Sequence, residues 1–214
     1  MHAPTLLIST VNTPLPDPVK PRSRSQIWIL IAVFFVPLVI AFVLYYGIDG
    51  WRPTGQTNHG ELIQPPRPVP AVELNSATGE PLPETLFQGK WTLVYIGAGS
   101  CDARCREALT LIRQTRLALN DDMPRVQRLF LATAECCDRA YLESEHPGLL
   151  VGTLEAQNGA QLREVFEVAE PVEEAGRIFI IDPLGNLMMS YPRSAEPKGL
   201  LQDMKKLLKL SHIG

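Results

Sequence analysis

The stretch WTLVYIGAGSCDARCREAL, residues 91–109, decides how the chain folds. Its first part, Trp91 to Gly97, is an unbroken apolar run of strand length, as expected for a strand buried on both faces. A turn of small residues follows. From about Ala103 to Leu119 the pattern becomes helical, with Leu109, Ile112 and Leu119 on one stripe and Arg116 as its exception. RVQRLFLAT (Arg125 to Thr133) reads as the next strand. Strand, helix and strand within about 40 residues predict a parallel unit with a right-handed crossover.

Working outward, residues 138–168 give weak signals, apart from AQLREVFEV, which reads as a helix. RIFIIDPLGNLMMSYP (Arg177 to Pro192) reads as a hairpin. Asp182-Pro183-Leu184-Gly185 fits a type I turn, with Asp first, Pro second and Gly last. EPKGLLQDMKKLLKL closes the chain as an amphipathic helix, with Leu200, Leu201, Met204, Leu207 and Leu208 on one face. Upstream, AVEL (Ala71 to Leu74) and NSATGE read as a short strand and a turn. The predicted class is α/β: a thioredoxin-like arrangement with an N-terminal strand extension.

The chain has 214 residues and a net charge of −3. With no basic patch interleaved with aromatics and no Gly-rich phosphate loop, nothing points to nucleic acid. IWILIAVFFVPLVIAFVLYY (Ile27 to Tyr46) runs for 20 residues without a charge. That is about 30 Å of helix, the thickness of a bilayer core. Pro37 is tolerable there, and Trp28, Tyr45 and Tyr46 fall at the two ends, where interfacial aromatics belong. The run starts too late and is too long for a cleaved signal, so it reads as an uncleaved single-pass anchor.

Lys20, Arg22 and Arg24 precede the span, and a lone Arg52 follows it. The positive-inside rule then predicts a cytoplasmic N-terminus in the inner (cytoplasmic) membrane and an exported, periplasmic C-terminal domain. The expected organisation is a disordered cytoplasmic tail over 1–26, a transmembrane helix over 27–46, a Pro-rich linker over 47–70 ending in PPRPVP, and the folded domain over 71–214.

All four cysteines, Cys101, Cys105, Cys136 and Cys137, lie in the exported part, where disulfides are permitted. Cys101 falls at a helix N-terminus, where orphan amides and the dipole favour a thiolate. Arg104 and Arg106 add positive charge and Asp102 opposes it. Two thiolates four residues apart suit Cu(I), and the same pair can be oxidised to a disulfide and exchanged. The bland alternative is two buried small hydrophobes. Against it stands their place at the carboxyl edge of a parallel sheet, where such folds keep their sites.

Cys136 and Cys137 follow the second parallel strand at that same edge. They read as resolving thiols, further Cu(I) ligands, a vicinal disulfide or an ordinary loop. His2, His59, His146 and His212 are scattered and read as solvated. Met188 and Met189 alternate on a strand and read as packing residues. Glu107 and Glu143 form no paired-carboxylate arrangement.

With these residues in view, the exported domain resembles the Sco/SenC family of membrane-anchored, thioredoxin-like proteins that assist cytochrome c oxidase assembly. GKWTLVYIG, the C-x-x-x-C of CDARC, RLFLAT and RIFIIDPLGN carry the resemblance over roughly residues 71–210. It implies copper binding by both motif cysteines, here Cys101 and Cys105, plus a histidine just before the hairpin. That position is Glu174 in VEEAGRIFIID, and Asp102 and Arg106 stand where the family's motif usually has prolines.

The resemblance therefore implies an anchored thiol–disulfide redox protein acting in copper-site maturation of a respiratory oxidase. The alternatives are a Cu(I) metallochaperone and a non-catalytic assembly partner. No cofactor is required on the leading reading. The implied partners are an oxidase subunit or copper chaperone, a periplasmic thiol redox partner and the membrane.

Overall fold

The computed structural model describes residues 24–47, 57–133, 137–154, 159–167, 172–211 and 213. The chain divides into two compact units, Met1–Gly55 and Gln56–Gly214.

In the first unit, helix α1 (Arg24–Gly47) is 24 residues long, about 36 Å at 1.5 Å per residue. Its mean hydropathy over an 18-residue window is 3.1, and none of its residues is buried. A helix that is apolar all round needs an apolar surrounding, and this one is long and apolar enough to cross a membrane. Residues 24–26, read as the end of the tail, belong to it. Residues 1–23 of the tail lie outside the described residues.

The second unit is built on a seven-stranded sheet. Its strands are β1 (Glu61–Pro68), β2 (Asn75–Ser76), β3 (Trp91–Gly97), β4 (Val126–Ala132), β5 (Leu150–Thr153), β6 (Ile178–Ile181) and β7 (Asn186–Tyr191). They lie in the order β1-β7-β6-β3-β4-β5-β2. The helices are α2 (Ala103–Leu117), α3 (Arg139–Glu145), α4 (Gly159–Phe166), α5 (Val172–Ala175) and α6 (Pro197–Leu210).

Strands β3 and β4 are parallel, in register from Trp91↔Val126 to Gly97↔Ala132, with α2 as the crossover. The predicted hairpin is antiparallel β6–β7. Its turn is closed by the Gly185 N–H donating to the Asp182 carbonyl at 3.0 Å, while the Asp182 carboxylate accepts from the Leu184 and Asn186 amides.

All seven residues of β3 are buried, and its side chains alternate between two cores. Leu93 and Tyr95 pack with Leu109 and Ile112 of α2 and with Leu200 and Met204 of α6. Val94 and Ile96 pack with Leu162 and Phe166 of α4. Burial on both faces is why the strand is apolar but for Thr92, whose hydroxyl accepts from Gln127 Nε2 at 2.9 Å, and each large apolar side chain so buried contributes about 1.5–3 kcal/mol. Arg116, the exception on the α2 stripe, donates from Nε to the Val126 carbonyl at 2.6 Å and so holds the helix end to the start of β4.

Three expectations shift. Residues 61–68, read as part of the linker over 47–70, form the edge strand β1, paired with β7. Proline cannot donate to a ladder, yet at a sheet edge its missing N–H costs nothing. Pro65 and Pro66 fall where the register shifts between Leu62 and Arg67. Residues 48–56 of that linker lie outside the described residues.

The strand expected at 71–74 is displaced to β2. The Leu74 carbonyl instead accepts from the Leu82 amide at 2.7 Å, across a turn where Gly79 takes φ +83°. Third, the stretch 138–168 yields α3 and the four-residue β5, for which no element was expected, ahead of α4, which is the helix expected at AQLREVFEV.

Candidate functional site

Strand β3 ends at Gly97 and β4 at Ala132, side by side. The Thr133 amide donates to the Gly97 carbonyl at 3.0 Å, so the two following loops leave the same sheet edge together. The first loop carries Cys101 and leads into α2. The second reaches Cys137 and α3.

Cys101 and Cys105 are joined in a disulfide with a Cα–Cα distance of 5.0 Å. Both are 2% exposed, within the core that holds Tyr95, Ala132 and Leu142. Cys101 precedes the helix. Its amide donates to the Ala98 carbonyl at 3.0 Å, and its φ of +44° lies in the left-handed region that non-glycine residues rarely occupy.

Asp102 is the N-cap of α2. Its Oδ1 accepts from the Cys105 amide at 3.0 Å, and its Oδ2 from Arg104 Nε at 2.8 Å. The Cys105 amide first, then the Arg104 side chain, holds the Asp102 carboxyl below the usual carboxylate range. The charge expected to oppose a thiolate at Cys101 is thus paired with Arg104. Tyr95 lies close enough to feel both. Burial first, then the Asp102 charge, pushes its phenol above its ordinary value.

Beyond its charge, Arg106 makes three contacts. Its Nε donates to the Cys101 carbonyl at 3.3 Å, its guanidinium carbon lies 4.3 Å from the Tyr141 ring centroid, and its Nη2 is 3.8 Å from Asp138 Oδ2. Asp138 caps α3 by accepting from the Tyr141 amide at 3.2 Å.

The Tyr141 hydroxyl meets His146 Nε2 at 3.1 Å. His146, read from the sequence as solvated, is 2% exposed. Burial, then the charges of Arg128 and Arg113, lowers its pKa against the opposing pull of Glu145. The sequence signal available for this cluster was D-x-x-Y followed by His-Pro, which is too common to act on alone.

Cys137 is disulfide-bonded and packs on the core that contains Cys101 and Cys105. Cys136 lies outside the described residues. Glu174 falls in α5, two residues before Gly176, and its side chain also lies outside them. Gly176 lines a cleft of about 300 Å³ with Arg104, Ala108, Ile178 and Pro192, so the loop after Glu174 borders the helix that carries Cys105. His59 is exposed, Met189 is buried in the core and Met188 packs on it.

Two sulfurs and a carboxylate loop do not make the soft three-donor set that a resident copper would need, since a carboxylate is a hard ligand. The described imidazole in this region, His146, is bonded to Tyr141 and flanked by guanidinium groups. Among the described residues no group of three or more His, Cys, Asp or Glu is placed to hold a metal.

The family model described as transmembrane-like, thioredoxin-like, C-terminal domain matches residues 91–211. A comparison with proteins of curated function finds no match. Among solved structures, yeast Sco1 superposes with a TM-score of 0.59 at 19% identity, over 70% of this chain and 98% of that one. Yeast Sco1 with copper bound gives 0.53 at 17%, over 73% and 96%. BsSco, described with a disulfide switch and as a member of the Sco family of cytochrome c oxidase assembly proteins, gives 0.51 at 11%, over 71% and 99%. The fold is therefore the one these proteins share.

Proposed function

Because the chain belongs to the family described as transmembrane-like, thioredoxin-like, C-terminal domain, we propose that it is a membrane-anchored thiol–disulfide redox protein. Its client is a copper-site component of a respiratory cytochrome c oxidase. The carrying observation is the Cys101–Cys105 disulfide at the carboxyl edge of β3. Helix α1 is the anchor, and the basic residues before it favour an exported domain.

In the reduced protein the Cys101 thiolate attacks a client disulfide and forms a mixed disulfide, releasing one client thiolate. Cys105 then attacks Cys101, releasing the second. Two electrons pass to the client, and the Cys101–Cys105 bond is regenerated. A periplasmic dithiol would reverse that oxidation between turnovers. Both sulfurs are buried in the oxidised form, so exchange requires the Cys101 loop to open.

The likeness to copper-bound yeast Sco1 favours a second reading, in which the two thiolates carry Cu(I) to the client as cargo. The test of the first reading is redox equilibration of full-length protein in detergent with a glutathione buffer, with thiols trapped by alkylation and mapped. A reversible two-electron couple at Cys101 and Cys105, with Cys101 alkylated first, is the expected result. A disulfide that does not open without unfolding would sink the redox reading.

A further inference from the structure

Cys101 holds a left-handed backbone conformation that is unfavourable for an L-residue and persists only where surrounding contacts hold it. The disulfide fixes it in the oxidised protein. A second restraint involves no sulfur. Arg106 Nε donates to the Cys101 carbonyl, and the rest of the guanidinium is seated on Tyr141 and paired with Asp138. Those two residues are themselves held. Asp138 caps α3, and Tyr141 is bonded to the buried His146. Arg106 thus ties the Cys101 loop to the segment that follows Cys137.

We infer that Arg106 is a positioning residue for the thiol pair. It holds the Cys101 backbone in its left-handed conformation when the disulfide is open, and so keeps Cys101 beside Cys105. This inference rests on the redox reading above.

Holding one thiol near the other raises their effective concentration and favours the bond. The equilibrium is protein dithiol plus glutathione disulfide giving protein disulfide plus two glutathione thiols. Two electrons pass from the protein to glutathione, and the two protons follow. Arg106→Met is expected to lower that constant about tenfold, which is ~30 mV for a two-electron couple. Arg106→Lys keeps the charge but loses the Nε donor and the planar face, so it is expected to lose as much. Tyr141→Leu removes the seat, together with the hydroxyl bonded to His146, but keeps the Arg106 donor, and is expected to shift the constant the same way by less.

The measurement is glutathione titration of full-length protein in detergent, paired with urea midpoints of the oxidised and reduced forms. A contact that served the fold alone would lower both midpoints equally and leave the constant unchanged. Loss of a positioning role instead narrows the gap between them in the variant. A wild-type constant in Arg106→Met, or full recovery in Arg106→Lys, would overturn the inference while leaving the redox reading intact. If Arg106→Met does not fold, Tyr141→Leu decides, and an unchanged constant there overturns it equally. If wild type itself fails to exchange with glutathione, the redox reading falls and takes this inference with it.

Discussion

The Tyr191 hydroxyl donates to the Asp203 carboxylate, joining the last strand to the last helix beneath the surface. The same oxygen, Oδ2, accepts from the His59 amide at 2.7 Å and the Gly60 amide at 3.0 Å. Gly60 fits there because a Cβ would stand 2.5 Å from the Tyr191 ring. Asp203 is therefore the point at which the start of the second unit is fastened to its end. Asp203→Ala leaves three donors without their acceptor. At about 1–3 kcal/mol for each buried donor left unpaired, partly relieved by water, the expected loss is about 3 kcal/mol in urea unfolding. A loss within the usual surface range of about 0.5 kcal/mol would show that the knot is not holding the segment.

His146 makes stability depend on pH. Its pKa is lowered in the fold by burial and by Arg128 and Arg113, with Glu145 opposing. Below about pH 6.5 the unfolded chain takes up a proton that the folded chain resists. Stability is then expected to be full above that pH and to fall as the medium is acidified from about 7 to 5. Replacing His146 with Asn should flatten the profile in that window. The Asp102 carboxylate loses its contribution only at lower pH, since its folded pKa is lowered from 3.8. A wild-type profile already flat between these values would contradict the assignment.

Asp102 accepts the Cys105 amide as an N-cap, so Asp102→Ala is expected to cost about 1 kcal/mol of stability. The same change frees Arg104 from its partner at 2.8 Å. The cation then acts on the thiol pair without an opposing carboxylate, and the Cys101 thiol should ionise at lower pH than in wild type. Alkylation rates of the reduced protein against pH test this, and a profile shifted upward would refute it.

A copper titration tests the donor set. With Glu174 at the position where the family resemblance places a histidine, wild type is expected to hold Cu(I) weakly. Glu174→His should compete better against a chromophoric chelator, and removal of Cys101 or Cys105 should abolish the gain. Tight one-to-one binding by wild type, unchanged in the variant, would favour copper carriage over redox exchange.

The β3–α2–β4 unit, the β6–β7 hairpin and α6 were legible because each buries a long face, and burial writes a period into the sequence. Strand β1 was not, since Pro65, Pro66 and Pro68 read as a spacer while an edge position tolerates them. Strand β5 has only four residues and no period to detect. The cysteine pair was visible from its spacing. The Arg106–Tyr141–His146 chain was not, because its residues meet only after α3 folds back over the sheet edge, and a lone histidine before a proline carries no signal of burial.

The prolines of β1 and the shortness of β2 limit how another chain can meet the sheet. The sheet ends on one side in a strand with three prolines and on the other in one of two residues. Neither border presents the row of free amides that an incoming peptide needs to extend the sheet. Copies of this domain are thereby discouraged from zipping together edge to edge. On the redox reading proposed above, a client is therefore chosen by side chains and shape at the cysteine end, and not by borrowing a strand.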